Sequence, residues 1–133
     1  SSLAAKLFMA LWTRSVRFEN LETLRWAALE RPAGRGLLTV SNHTSPVDDP
    51  LIWSALPLLN MLDGRSGSKR WGLAAEEVCF TNPLFRAFFG AGRLLPVRRG
   101  EGVEQPAVTE AIRLLSAGEW VHIFSEGRVN LDP

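Results

Sequence analysis

Residues 106–124, PAVTEAIRLLSAGEWVHIF, carry the clearest pattern in the chain. Val108, Ala111, Ile112 and Leu115 recur at i, i+3, i+4 and i+7, the spacing of one face of an α-helix. Pro106 suits a first helical turn, where its missing N–H has no partner to lose. Gly118 suits the stop, because glycine enters the left-handed region without strain. The next five residues, WVHIF, form a short apolar run of strand character. A helix feeding directly into a buried strand is half of an α/β unit.

The same alternation extends outward. RLLPV (93–97) reads as a strand in which Pro96 marks an edge, a bulge or the last residues. NPLFRAFFG (82–90) pairs an Asn82 cap with Pro83 and ends at Gly90, and its residues 84, 85, 88 and 89 make a core-facing stripe. WGLAAEEVCF (71–80) reads as a strand followed by a short helical turn, and 60–70, with Gly64 and Gly67, as a loop. DPLIWSAL (49–56) opens a helix with Pro50 in its first turn, LLTVSN (37–42) is a buried strand, and NLETLRWAALER (20–31) is a helix capped by Asn20 and stopped by Pro32. Strands alternating with helices predict an α/β fold with a mixed, partly parallel sheet flanked by helices.

At 133 residues and 46% apolar content, the chain is one domain's worth with a real core. A net charge of +1, well mixed in sign, gives no electrostatic footprint for nucleic acid. Cys79 is the single cysteine, which leaves no internal disulfide and reads as a buried thiol. No run reaches the roughly 18–20 apolar residues that span a bilayer. The opening SSLAAKLFMALW, interrupted by Lys6 and followed by Arg14 and Arg17, suits either an interfacial amphipathic helix or a helix packed on the core.

Chemistry in α/β sheets gathers where strands end, and three ends here are polar. TVSNHTSPVDDP (39–50) sets His43 five residues before Asp48. Such a pair can be a base with its orienting carboxylate, a metal site, or two solvated loop residues. His122, the only other histidine, lies within a strand between Trp120 and Phe124 and reads as structural. PVRRGEG places Arg98 and Arg99 after a strand, either as a phosphate-gripping fork or as solvated surface cations. FSEGR puts Glu126 and Gly127 on a turn after Phe124, where the carboxylate either binds a substrate hydroxyl or holds the loop.

Taken together and in this order, the three ends resemble the glycerolipid acyltransferase superfamily. Its His-x-x-x-x-Asp block matches His43 to Asp48, its Gly-and-Arg block matches Gly92 to Arg99, and its Phe-Pro-Glu-Gly block matches Phe124 to Gly127. VSNHTSPVDDP with Trp53, RWGLAAEEVCFTN, GRLLPVRRG and GEWVHIFSEGRVN are most similar to the tafazzin branch, over most of residues 37–131. Two departures stand out. Ser125 replaces the family's proline, which leaves that turn less constrained, and the chain stops at Pro133 where the family continues into a fourth block. A shortened chain, lacking the C-terminal part of the fold, is therefore expected.

The resemblance implies residues 20–133 as an acyltransferase domain preceded by a separate helix over 1–19. It implies acyl transfer between phospholipid and lysophospholipid, with cardiolipin remodelling at mitochondrial membranes facing the intermembrane space, and with no cofactor. An acyl-CoA-dependent relative and an inactive lipid-binding scaffold are the rival readings. His43 and Asp48 would be catalytic. Arg99, assisted by Arg98, would hold a lipid phosphate, and Phe124, Glu126 and Gly127 would place the substrate, while Asp49 would cap the helix that follows. A lipid substrate brings a membrane surface as partner, for which residues 3–12 and Phe85, Phe88 and Phe89 are the alternative contacts.

Overall fold

A computed structural model describes residues 17–45, 48, 56 and 69–129. Most of the expected helices over 1–19 and 49–56, the capping role of Asp49 and most of the 60–70 loop lie outside the described residues. The described elements run α1 (Leu21–Arg25, continued as a wider π-type turn Trp26–Glu30), β1 (Leu37–Ser41), β2 (Arg70–Ala75), α2 (Glu76–Cys79), α3 (Pro83–Ala91), β3 (Leu94–Val97), α4 (Pro106–Ser116) and β4 (Trp120–Phe124).

The strands form one sheet in the order β1-β4-β2-β3. All three pairings are parallel, with Val40 beside Ile123, Gly72 beside His122 and Leu73 beside Leu95. The α/β expectation is met, and every strand read from the sequence is present. Pro96 sits on β3, an edge of the described sheet, where its missing N–H is tolerated.

Two clusters bury most of the two sheet faces, but β1, expected as a buried strand, leaves Leu38 and Val40 50% and 56% exposed. On one face Ala107, Ala111 and Leu114 of α4 pack against Leu95 and Val121, with Trp71, Leu73, Val97, Leu115 and Ile123 around them. The buried stripe is therefore not the one expected, since Ile112 is 59% exposed. Small side chains at 107 and 111 let the helix lie close to the sheet, and periodicity sets the spacing of a stripe without choosing between two neighbouring phases. On the other face Ala28, Leu56 and Trp120 cluster with Leu24, Leu29 and Leu37.

Gly118, just past α4, has φ +86°, and a Cβ there would lie 2.8 Å from the Gly34 Cα. Two backbones thus meet directly, a contact that only glycine permits. Arg31 braces the same corner, donating to the carbonyls of Ala27 and Ala28 at the end of the first helix and to Gly118 O at 3.1 Å. The start of that helix differs from expectation: Asn20 is left-handed (φ 54°) and makes no side-chain cap. Its carbonyl serves instead, accepting from Thr23 N.

Asn82 does cap α3 as expected, accepting from Phe85 N at 2.9 Å. The stripe of α3 is not core, however. Leu84, Phe85 and Phe88 are 75%, 44% and 68% exposed. Amphipathic spacing says that a helix has an apolar face, not what covers it. Among the described residues, no helix is long and apolar enough to cross a membrane.

Candidate active site

Because the strands are parallel, their carboxyl ends lie on one edge of the sheet, and loops far apart in sequence meet there. Ser41 leads to His43, Ala75 to Glu76 and Glu77, Val97 to Arg98 and Arg99, and Phe124 to the turn at 125–128. The three polar ends named from the sequence share this edge with a fourth, the two glutamates.

His43 Nδ1 lies 3.3 Å from Asp48 Oδ2, with both side chains mostly buried. The same oxygen accepts the backbone amides of Thr44 at 2.7 Å and Ser45 at 2.8 Å. Burial is the largest single influence on the Asp48 pKa and raises it; the Ser45 and Thr44 amides and the His43 contact together outweigh it, and the pKa is lowered. A carboxylate held in its charged form requires the histidine proton on Nδ1, which leaves Nε2 as the basic nitrogen. Among the described residues no third His, Cys, Asp or Glu joins the pair to make a metal-binding group. Phe124 lies flat on the imidazole, 4.0 Å between centroids at 19°.

A cavity of about 620 Å³ opens beside this pair. His43, Arg99, Phe124 and Gly127 line it, and most of its remaining wall is hydrocarbon, including Val78, Phe89 and Leu94. Its size and apolar character suit a drug- or lipid-sized ligand. Gly127 reaches φ +62° in the turn beneath it, a region that favours glycine. Cys79 sits half-buried in the wall rather than in the core.

The two arginines part company. Arg99 lines the cavity and reaches Glu77 at 3.3 Å, with both side chains about half exposed. Arg98 turns instead to Glu76, Nε to Oε2 at 2.8 Å. That hydrogen bond is the main reason the Glu76 pKa is lowered, with further help from the Arg98 and Arg86 charges. Buried Gln105 fixes the backbone beneath them, accepting from Arg98 N at 2.9 Å and donating to Gly102 O at 2.6 Å. Glu126 is exposed on its turn and does not line the cavity.

Ser125 tightens the turn that its presence was expected to loosen. Its amide donates to Ser41 O at 3.0 Å, a bond that a proline could not make. Sequence reading passed over Glu76, Glu77 and Gln105. The signal for the glutamates was available, since AAEEVC places them at the end of a recognised strand. Gln105 carried none, because its partners are backbone atoms of a loop.

Comparison with known proteins agrees with this geometry. A family model described as Acyltransferase matches residues 15–132. The chain is 44% identical to N-acylphosphatidylethanolamine synthase of Arabidopsis thaliana over 113 residues, covering 85% of this chain and 39% of that protein. It is 44% identical over 116 residues to Tafazzin of Drosophila melanogaster, covering 87% of this chain and 30% of the relative. With Tafazzin of Saccharomyces cerevisiae it shares 46% over 104 residues, 74% of this chain and 25% of the relative. The chain therefore spans a quarter to two-fifths of the length of these curated relatives. No solved structure matches it.

Proposed function

The chain belongs to the acyltransferase family, and on that premise we propose that it carries the catalytic centre of a phospholipid–lysophospholipid transacylase. The observation that carries the reading is one cavity lined jointly by His43, with Asp48 bound behind it, by Arg99 and by an apolar wall. Nε2 of His43 takes the proton of a lysophospholipid hydroxyl, and the oxygen attacks the acyl ester carbonyl of the donor lipid. The tetrahedral adduct collapses, the donor's glycerol oxygen leaves, and the imidazolium returns the proton to it. Asp48 stabilises the imidazolium in between. Atoms and charge balance without a cofactor or an acyl-enzyme.

Arg99 holds a lipid phosphate. Its present partner Glu77 is half exposed, and exposed pairs are worth only about 0–1 kcal/mol, so a phosphate exchanges for it readily. Arg98, engaged by Glu76, supports the loop. Cardiolipin is the proposed lipid and a mitochondrial membrane the proposed location, on the strength of the tafazzin-like stretches over 37–131. A second reading has an observation of its own. The Arabidopsis relative named for N-acylphosphatidylethanolamine synthesis is as similar as the fly tafazzin, and the same base could deprotonate an amine acceptor.

The test is an incubation of the intact protein with acyl-labelled phospholipid and either lysophospholipid or phosphatidylethanolamine, without CoA. Label is expected in the lysophospholipid acceptor. Label only in the amide product selects the second reading. Transfer only on addition of acyl-CoA overturns the transacylase reading.

The α3 face supplies the membrane contact. Phe89 lines the cavity, and its ring meets Phe85 at 6.0 Å and Phe88 at 5.2 Å, so apolar surface runs from the cavity wall to the exposed helix. Burying one phenylalanine is worth about 1.5–3 kcal/mol. Phe85→Ser with Phe88→Ser is therefore expected to weaken binding to anionic vesicles at least about tenfold. Transfer between detergent-dispersed lipids should stay within about twofold, because neither side chain reaches the base. Unchanged co-sedimentation with vesicles would dismiss this face.

A further inference from the structure

Trp120, His122 and Phe124 are alternate residues of β4, so they share the sheet face that carries the cavity and rise along it toward the catalytic edge. Trp120 and His122 are 1% and 3% exposed. The indole nitrogen can only donate, and it donates to Thr39 Oγ1 at 2.9 Å. The Thr39 hydroxyl in turn hydrogen-bonds His122 Nδ1, 2.8 Å away. On the other side of the ring, Nε2 hydrogen-bonds Ser41 Oγ at 3.2 Å.

Two bonds to β1, one from each side, thus fix the plane of a buried imidazole that acyl transfer does not use. That ring meets Phe124 edge to face, with centroids 4.8 Å apart at 87°. Phe124 in turn lies flat on His43 at 4.0 Å. Phe124 is only half-buried, and the turn that follows it is exposed, so the His122 edge is one of two described ring contacts, with the His43 stack, that orient it.

We propose that His122 is a positioning residue for His43, acting through the ring of Phe124. The inference rests on reading His43 as the base. Orientation matters because a misplacement of about 1 Å at a reacting group can cost about 10²-fold in rate. The stack also favours the charged intermediate, since a cation within about 6 Å of an aromatic face is attracted to it.

The test combines kinetics with NMR of the intact protein containing labelled histidine, in which the His43 ring protons feel the ring current of Phe124. Phe124→Leu is expected to abolish that shift and to lower kcat about three- to tenfold at unchanged KM. Phe124→Tyr keeps the ring and should keep the His43 shift. His122→Leu should reduce the His43 shift and lower kcat with KM again unchanged. A folded His122→Leu protein with wild-type kcat and His43 shift overturns the proposal, and so does a change confined to KM. If His122→Leu does not fold, the Phe124 pair decides. Full kcat in Phe124→Leu, or a His43 shift lost in Phe124→Tyr as it is in Leu, overturns it. Acyl transfer that survives His43→Ala sinks the base reading itself, a result that leaves the ring-current measurement unaffected.

Discussion

Replacing His43 with alanine is expected to lower acyl transfer by about 10³-fold, within the range of about 10²–10⁴ that a positioned general base supplies. Nothing described beside it can substitute. Its Asp48 partner is held ionised at low pKa by backbone amides and is too weak a base to take a hydroxyl proton near neutrality. His122 also lines the cavity, but both its nitrogens are bonded to β1. The imidazole is partly exposed at the cavity wall and packs on Phe124 alone among described aromatic rings besides, so the fold should survive its removal. Vesicle binding should therefore persist while label transfer disappears. Transfer at near wild-type rate would end the mechanism proposed for this site.

Two substitutions at Asp48 should give different losses, because three bonds converge on a single oxygen. Thr44 N, Ser45 N and His43 Nδ1 all meet Oδ2. In Asp48→Asn the amide oxygen can occupy that place, accept all three donors and preserve both the loop and the histidine tautomer. What disappears is the negative charge behind the imidazolium. A hydrogen bond to a charged group exceeds a neutral one by about 1–2 kcal/mol, so kcat should fall about 5- to 30-fold at unchanged KM. Asp48→Ala removes the acceptor as well, and should fall about 10³-fold. An Asn loss as deep as the Ala loss would mean that the amide had turned its NH₂ toward Nδ1 and reversed the tautomer.

Acid should act on the same oxygen. The Asp48 pKa is lowered in the fold, so its contribution to loop stability is present above the unfolded carboxylate value and is lost as pH falls through the folded one. Near neutrality this contribution is complete. Asp48→Asn should remove that part of the acid dependence, measurable as a flatter profile of amide exchange for Thr44 and Ser45 across the acid range.

The legible parts of the site were local ones. His43 and Asp48 share one short loop, so their spacing alone brings them within reach. Asn82 and Pro83 start a helix by local capping chemistry, and WVHIF is a strand because its residues favour one. The illegible parts depended on distant partners. Arg98 and Arg99 are neighbours with the same chemistry, yet one is drawn to Glu76 and the other lines the cavity. The difference comes from where β3 ends relative to β2, which a list of residues does not display. His122 read as structural in its strand, but the bonds that fix its ring run to Thr39 and Ser41, some eighty residues earlier, and its link to the base runs through Phe124.

The sequence by itself determined the alternation of helix and strand, the polar strand ends and the family to which their order belongs. These properties follow from spacing and composition within windows of ten to twenty residues, where backbone periodicity acts. Tertiary structure alone decided the phase of α4, with Leu114 inward and Ile112 outward, and the exposure of Phe85 and Phe88. It alone also built the stack from His122 through Phe124 to His43. Each of these depends on the parallel register of β4 between β1 and β2. Register is chosen by the summed packing and hydrogen bonding of all strands at once, and no single segment contains that sum.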